Sequence, residues 1–473
     1  MEKESSSNEN KELIDLIAKY ELDLEEGKST YWDSDQLASI AEYYTTESLL
    51  DEAQKVIDYG LKLHPGNTEL LVKQGHLYLD NMEVGLAREL FDTITETYDP
   101  DVKFLEAEIL FCEDRDDEVD DVLNSIEEDD VEILIDILTF YMDMGFPEKA
   151  QNLIELRMEK FKENQDFRIY LCKFFQMTEQ PEKAIEYYNY LIDSDSFNPE
   201  YWTGLSKCYF TMEEYDKSIE ACNYALASDD KYGEAYMYRA HGYYRINNMD
   251  KAIEDYNHAI EHKSPSFEMG YVFLALIYNH KSDWKKSIFY NKKAIELMEV
   301  DMDNLSILVE AYSNLAIAVN SLGDHKKAHA YCEKAKKIKE DESVIYLTEA
   351  SIYYTEKKLK KAEEACDKAM EYADDLNSWL FIADFCLDSL MMTKAQYAFE
   401  KVYEIQPTEE MLEKLRILAV INKDSKRFTE YNDKSDFPLD TDLINDIYKL
   451  STFLMEYPSP KKSKKKNKDK DQE

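Results

Sequence analysis

The sequence predicts an all-α fold: a right-handed α-solenoid, or superhelix, of about ten to eleven antiparallel helical hairpins. The first observation behind this prediction is an internal repeat, because residues 199–231 align with residues 233–265 at an offset of 34. Large residues then match large ones, as Trp202 matches Tyr236, and small residues match small ones. The second observation is that Gly and Pro are scarce, at 11 and 10 in 473 residues, which suits continuous helices. A repeat of this length indicates a stacked array rather than one globular core.

Each repeat unit is predicted to be a pair of short helices. In the second unit apolar residues fall at helical spacing in two blocks, 236–244 and 250–261, with a polar turn between them. Ala252 and Ala259 are seven residues apart and share one face of the second helix, so the two helix backbones can approach closely. One such hairpin cannot bury its apolar face alone, and neighbouring hairpins must therefore stack.

This unit resembles the tetratricopeptide repeat, a 34-residue helix–turn–helix with an aromatic, small residues and a tyrosine, followed by alanine, an aromatic and alanine. Most steps between units are 33 to 35 residues. The longer step from Ala87 to Ala150 predicts a degenerate unit near 100–129, and the step from Ser287 to Ala328 predicts an insertion near 300–307. The small marker residue of the second helix recurs at Ala53, Ala87, Ala150, Ala184, Ser218, Ala252, Ser287, Ala328, Ala362 and Ala395.

A narrower resemblance covers residues 12–65. The run KYELDLEEGKSTYWDSDQLASIAEYY, continuing to LDEAQKVIDYGLKLHP, is similar to the N-terminus of the acidic cytoplasmic tetratricopeptide-repeat proteins of Bacteroidetes bacteria. This resemblance implies the repeats that follow, and it implies no defined reaction.

The chain divides into five predicted parts. Residues 1–10 are expected to be disordered because they are polar throughout, and residues 11–33 form an N-terminal capping helix and a linker. The solenoid occupies residues 34–407. Residues 408–457, where the periodicity loosens, form C-terminal capping helices. Residues 458–473 are a lysine-rich tail that is expected to be disordered.

The composition excludes several classes of function. The formal net charge of −44 disfavours binding of DNA by the solenoid and association with anionic membranes, since both require positive charge. No apolar run approaches ~18 residues, and the N-terminus resembles no secretory signal. The seven cysteines form no CxxC motif, and Cys222, Cys332 and Cys366 share one position of the second helix. That pattern is typical of small core residues in a reducing compartment, so a cytoplasmic protein is expected.

The sequence contains no recognisable catalytic or cofactor-binding motif. It has no P-loop, no GxSxG, no HExxH and no GxGxxG after a strand. The protein is therefore expected not to be an enzyme and to need no cofactor. His258 and His262 are four residues apart, as are His325 and His329, with Cys332 three further. All are interpreted as ordinary helix residues, and no metal site is predicted.

The resemblance implies that the first helices of the hairpins line a concave groove. Aromatic rings there would anchor a partner and amides would bind a peptide backbone. Chaperone-docking members of the family grip a carboxylate with lysine, asparagine and arginine, but Lys207 stands where asparagine is needed and Phe273 where arginine is needed. The residues predicted to line the groove are Lys207, Phe210, Met237, Tyr238, His241, Tyr244, Phe273, Leu276, Asn279, Asn314 and Tyr354, with Phe381 beyond them.

The predicted function is that of a non-catalytic scaffold that binds a protein or peptide in this groove. The first alternative is an accessory subunit that works only within a larger enzyme. A further alternative is a ribosome-associated or nucleic-acid-associated factor, tethered partly by the basic C-terminal tail.

Overall fold

The computed structural model describes residues 2–25, 30–126, 130–299 and 305–436. Within these residues there are 25 helices and no strand, so the all-α prediction is confirmed. The chain forms two compact units, residues 1–196 and residues 197–473. In both units consecutive helices pack as antiparallel pairs, and each pair packs against the next pair of the same unit. Each unit is therefore a stack of helical hairpins.

In the first unit α1 packs against the first of five hairpins. The helix α1 begins at Glu2, whereas the sequence predicts a helix start at residue 11. The helices of this unit are α1 (Glu2–Glu25), α2 (Ser34–Thr46), α3 (Leu50–Leu63), α4 (Thr68–Asp80), α5 (Val84–Phe91), α6 (Pro100–Cys112), α7 (Asp116–Leu123), α8 (Val131–Asp143), α9 (Pro147–Phe161), α10 (Gln165–Met177) and α11 (Pro181–Ser194).

The described residues of the second unit form seven hairpins. Their helices are α12 (Pro199–Thr211), α13 (Tyr215–Ser228), α14 (Gly233–Arg245), α15 (Met249–Glu261), α16 (Phe267–His280), α17 (Trp284–Met298), α18 (Leu305–Ser321), α19 (His325–Ile338), α20 (Ser343–Thr355), α21 (Leu359–Glu371), α22 (Leu376–Asp388), α23 (Met392–Ile405), α24 (Glu409–Ile421) and α25 (Ser425–Lys434). The even-numbered helices are the first helices of their hairpins, and the odd-numbered helices are the second helices.

The small marker residues do what the repeat pattern predicts. All ten, from Ala53 to Ala395, have no exposed surface. In the central hairpin α14–α15, Ala252 and Ala259 are buried beside the large ring of Tyr256, which is itself fully covered. A small residue at each marker position lets the paired helices approach closely. Aromatic rings such as Tyr256 fill the space left between the helices, as close packing of the core requires.

The two irregular regions of the repeat have visible counterparts. Near 100–129 the hairpin α6–α7 is present, but α7 has only 8 residues. Around the expected insertion, α17 and α18 are extended to 15 and 17 residues, and residues 300–304 between them lie outside the described part.

Residues 34–434 contain twelve hairpins in the described part of the chain rather than ten to eleven, because the pair α24–α25 adds one within the segment assigned to capping helices. The sequence does not reveal α25, since Phe428 and Tyr431 are its only buried residues. A last helix predicted over 442–457 and the tail at 458–473 lie outside the described residues.

The turn within each of the twelve hairpins has the same backbone form. One residue is left-handed, as at Met82 (φ 61°) and Leu390 (φ 59°), and only two of the twelve are glycine, Gly145 and Gly323. The next residue donates its N–H to a carbonyl five positions earlier, as from Glu83 to Tyr78 at 2.7 Å. This arrangement is the Schellman motif, which satisfies the free carbonyls at a helix end.

None of the described helices combines the length and apolarity that crossing a bilayer requires. Of the seven cysteines, Cys112 is exposed and six are buried as free thiols. Cys222, Cys332 and Cys366 have no exposed surface, which confirms their predicted place in the core.

Candidate functional site

The residues predicted for the groove all lie on first helices of the second unit. They are distributed over five helices: Lys207 and Phe210 on α12, Met237, Tyr238, His241 and Tyr244 on α14, Phe273, Leu276 and Asn279 on α16, Asn314 on α18, and Tyr354 on α20. Most are partly exposed. Met237 and Asn314 are exceptions, because only 6% and 7% of their surfaces are exposed. We call the surface formed by α12, α14, α16 and α18 the first-helix face.

Aromatic side chains from three helices meet on this face around His241. Its ring centre lies 4.6 Å from that of Phe273, 5.9 Å from that of Tyr238 and 6.2 Å from that of Phe210. Tyr244 joins the group through Phe273, at 6.1 Å. These distances are typical of interacting aromatic pairs, so the structure brings together five of the predicted residues.

This aromatic group is fixed from beneath by a core tyrosine. The Tyr256 ring stacks on Phe273 with the ring centres 5.4 Å apart, and its hydroxyl lies 2.7 Å from Nδ1 of His241. Burial lowers the pKa of His241 to about 4, so the imidazole is neutral at pH 7. Burial also raises the pKa of Tyr256 well above its ordinary value. His241 and Phe273 therefore belong partly to the core and partly to the surface.

The only predicted groove cation, Lys207, is already paired. Its Nζ lies 2.8 Å from the Glu234 carboxylate and 5.0 Å from the centre of the Tyr238 ring. Glu234 also accepts a hydrogen bond of 2.9 Å from the Tyr232 hydroxyl. Burial alone would lower the pKa of Lys207, but its interactions with Glu234 and Tyr238 together outweigh burial and raise the pKa. This lysine is thus neutralised within the protein.

On α16 and α18 the face changes from aromatic to polar. The Asn279 Oδ1 and Asn314 Nδ2 atoms are buried. Asn279 Oδ1 has no hydrogen-bond partner among the described residues, whereas the Asn314 amide interacts with the Glu310 carboxyl. By repeat alignment the two asparagines are equivalent to Tyr244 and Phe273, which are in contact. Buried polar atoms are rarely left unsatisfied in native proteins, so the Asn279 oxygen is a candidate contact for a bound molecule.

Sequence reasoning missed Glu310, which lies one helical turn before Asn314. Burial raises the pKa of its carboxyl, and Asn314 offsets part of that rise. Among the described residues no lysine, arginine or histidine forms an ion pair with Glu310. The repeat offers a signal that could have found it, because Glu310 is equivalent to Glu234, the partner of Lys207.

The side chains of His325, His329 and Cys332, which the sequence places at helical spacing, contact different partners in the structure. His325 Nδ1 lies 2.6 Å from the Asn320 amide oxygen, and His329 Nε2 lies 3.0 Å from the Glu356 carboxylate. Cys332 is buried in the core. These three side chains therefore share no site.

Two depressions in the described part of the chain lie away from the first-helix face. One of about 440 Å³ lies between α21 and α23, beside Lys394 and Tyr397. The other, about 240 Å³, is in the first unit and is lined by Tyr141, Lys149 and Leu156 among others. The candidate site is an open surface rather than either depression.

Comparison with known proteins bears on the repeat itself. Two segments match family models described as tetratricopeptide repeat, residues 178–233 and residues 309–342. The first spans α11 to α13, and the second spans most of α18 and all of α19. A search of curated proteins finds no match.

Several solved structures are similar in part. A tetratricopeptide repeat protein from Parabacteroides merdae is 15% identical, with a TM-score of 0.43, over 61% of this chain and 99% of its own. YrrB, described as a TPR protein with an unusual peptide-binding site, is 16% identical, with a TM-score of 0.32, over 40% and 93%. Cut9–Hcn1, a hetero-tetramer of the APC/C, is 12% identical, with a TM-score of 0.39, over 89% and 90%. The two matched segments, residues 178–233 and 309–342, are thus the parts of this chain that are similar to tetratricopeptide-repeat family models.

Proposed function

We propose that this protein is a non-catalytic scaffold whose first-helix face binds an extended peptide segment of a partner protein, and that this segment carries a basic side chain. The observation that carries the proposal is the meeting of partly exposed aromatic rings around His241, near a buried Asn279 oxygen that has no partner among the described residues. Repeat proteins of this kind commonly bind partners along such extended surfaces.

The aromatic rings would supply most of the binding energy. Tyr238, Tyr244 and Phe273 are held in place by their neighbours, so little side-chain entropy is lost when a partner covers them. Rigid aromatic anchors of this kind commonly contribute ~2 kcal/mol or more each when truncated. The apolar side chains of a bound peptide would lie against these rings.

The two asparagines would bind the peptide backbone. Asn279 offers an acceptor that has no partner among the described residues and matches one peptide N–H, and Asn314, which interacts with Glu310 in the unbound protein, would donate to one peptide C=O. Satisfying the Asn279 oxygen would remove an energetic cost that the unbound protein carries, since an unsatisfied buried polar atom costs about 1–3 kcal/mol.

The charges on the face favour a basic partner. Lys207 is neutralised by Glu234 at 2.8 Å, so it offers little to an acidic peptide. Glu310 has no ionic partner among the described residues, and a lysine or arginine would stabilise its carboxylate form. The net charge of −44 would in addition attract basic segments from solution.

An array of decapeptides with one central position fixed as lysine, glutamate or alanine tests the proposal. We expect lysine to give the strongest binding and glutamate the weakest. The combined change Tyr238→Ala, Tyr244→Ala, Phe273→Ala is expected to weaken the best peptide by at least ~100-fold, at 1.4 kcal/mol per tenfold. The matched control replaces three exposed aromatic residues of second helices by alanine: Tyr190, Phe289 and Tyr397.

Glu310→Gln separates the two halves of the proposal. It should abolish the preference for lysine and leave binding of the alanine peptides unchanged, whereas Glu254→Gln on the second helix α15 should change neither. Normal binding by the folded triple variant would reject the face as the binding surface. A lysine preference that survives Glu310→Gln would reject only the role of Glu310.

The alternative of tethering by the lysine-rich tail concerns residues outside the described part. Deleting residues 461–473 is expected to leave peptide binding intact. If binding is lost with the tail and fades steeply as salt rises, the tail rather than the face holds the partner.

A further inference from the structure

We propose that His258, Glu261 and His262 on α15 form a binding site for Zn²⁺. One ligand atom from each of the three side chains lies within 4.8 Å of the other two. Residues three and four apart on a helix project from the same face, so the short sequence HAIEH places two imidazoles and a carboxylate together. Among the described residues this is the only group of three such ligands at that spacing.

The two imidazoles are held in a shared orientation by a neighbouring ring. Tyr236 of α14 stacks on both, with ring centres 4.8 Å from His258 and 5.8 Å from His262. The imidazole planes are within 9° of parallel. Nδ1 of His258 lies 3.7 Å from the Glu261 carboxylate. The ligands are therefore partly arranged before any ion binds.

The donor set selects the class of ion. Two imidazole nitrogens and one carboxylate oxygen suit zinc, which takes three protein ligands and a water in its open tetrahedral sites. Calcium and magnesium prefer oxygen ligands throughout. All three side chains have solvent access, so they can move closer together than the present limit of 4.8 Å between their ligand atoms. Each ligand atom could then lie about 2.0–2.2 Å from a shared zinc ion.

The position on the helix also favours a cation. His262 is the C-cap residue that directly follows α15, and the carbonyl end of a helix carries a partial negative charge that stabilises cations. One neighbouring positive charge belongs to Arg239, whose guanidinium lies 5.3 Å from the centre of the Tyr236 ring. That charge is neutralised by two 2.7 Å hydrogen bonds to Asp255.

The site is separate from the proposed peptide surface, because it lies on a second helix and involves none of the anchor residues. Its test is titration of the chelator-treated full chain with zinc chloride, followed by calorimetry. We expect one zinc ion per chain at micromolar zinc, and at least tenfold weaker binding in the variant His258→Ala, His262→Ala. Glu261→Gln should give an intermediate loss, and millimolar Ca²⁺ should not compete.

The matched control is His325→Ala, His329→Ala, another pair four residues apart whose rings are engaged with Asn320 and Glu356. This control should bind zinc as the wild-type protein does. Zinc should also raise the melting temperature of the wild type and of the control, but not that of the His258→Ala, His262→Ala variant. Equal zinc binding by all three proteins, or none by the wild type, would overturn the proposal.

Discussion

At the scale of single residues, small side chains set how closely the paired helices approach. Ala252 has no exposed surface and lies in the core formed by α14, α15 and α16, beside Ala240 and Tyr256. A longer side chain at this fully buried position would have to displace its apolar neighbours.

Ala252→Glu is therefore expected to destabilise the protein by about 3 kcal/mol or more, because it places a carboxylate in a closely packed helix contact. Glu254→Ala, at an exposed position two residues away, serves as the control and should change stability by less than about 0.5 kcal/mol. Urea unfolding followed by circular dichroism measures both. An unchanged midpoint for Ala252→Glu would show that the helices do not approach as described.

His241 should resist protonation in the folded state. Its folded pKa of about 4 lies below the usual value of about 6.5, so the unfolded chain takes up this proton first. The contribution to stability is full above pH 6.5 and is lost as pH falls towards 4. NMR titration of histidine-labelled protein, with His241→Gln to assign the signal, should show a ring that stays neutral at pH 5.5. A midpoint near 6.5 would contradict its burial.

At the scale of the helical hairpin, α14–α15 contains an ion pair at positions where the preceding hairpin, α12–α13, has apolar residues. Arg239 donates two hydrogen bonds of 2.7 Å to Asp255, and Asp255 is only 3% exposed. The equivalent residues 34 positions earlier are Leu205 and Ala221. A buried ion pair thus occupies the place of an apolar contact.

Asp255→Ala alone is expected to cost about 3 kcal/mol, because it leaves a largely buried guanidinium without its partner. Adding Arg239→Leu copies the neighbouring unit and should recover most of that loss. A double-mutant cycle compares the free energies of unfolding of the wild type, Asp255→Ala, Arg239→Leu and the double variant. If the double variant is no more stable than Asp255→Ala, then leucine and alanine cannot replace the ion pair in this hairpin as they occur in α12–α13.

The turn within each hairpin offers a second test at this scale. The left-handed conformation is costly for residues other than glycine, yet ten of the twelve turns use another residue. Leu390→Gly should stabilise the protein by roughly 0.5–1 kcal/mol, since its side chain is 73% exposed and little packing is lost. Gly145→Ala is the converse, because a Cβ there meets nothing within 4 Å and only the backbone strain remains. Opposite shifts in melting temperature are expected.

At the scale of the whole molecule, the acidic excess is the dominant electrostatic feature. The chain has 100 acidic residues against 56 lysines and arginines. Many surface ion pairs are present, but exposed pairs each contribute little, whereas like-charge repulsion acts throughout the surface.

Raising sodium chloride from 20 to 200 mM is therefore expected to raise the melting temperature, because the screening length falls to about 10 Å at 0.1 M and repulsion weakens. Differential scanning calorimetry at fixed pH measures the change. A melting temperature that falls with salt would show that the ion pairs outweigh the repulsion.

The sequence predicted the parts of the fold that repeat and missed those that do not. All ten marker residues are buried because a small side chain is required wherever two helices cross closely. The helix α25 was missed because two buried aromatic residues make too weak a periodic pattern. On the candidate site, exposure of Tyr244 follows from repeat position, but burial of Met237 depends on its neighbours in three dimensions. Glu310 was missed because a carboxylate without an ionic partner resembles any surface charge in a sequence.

The contacts of this chain are short in range, since each helix packs substantially only against helices one or two places away along the chain. This has a consequence for how such a gene can change. Copying or deleting the coding segment of one hairpin alters two junctions and leaves the surroundings of the more distant hairpins as they were. During evolution the number of hairpins can therefore increase or decrease by whole hairpins, while the residues of an existing binding face keep the same neighbouring residues.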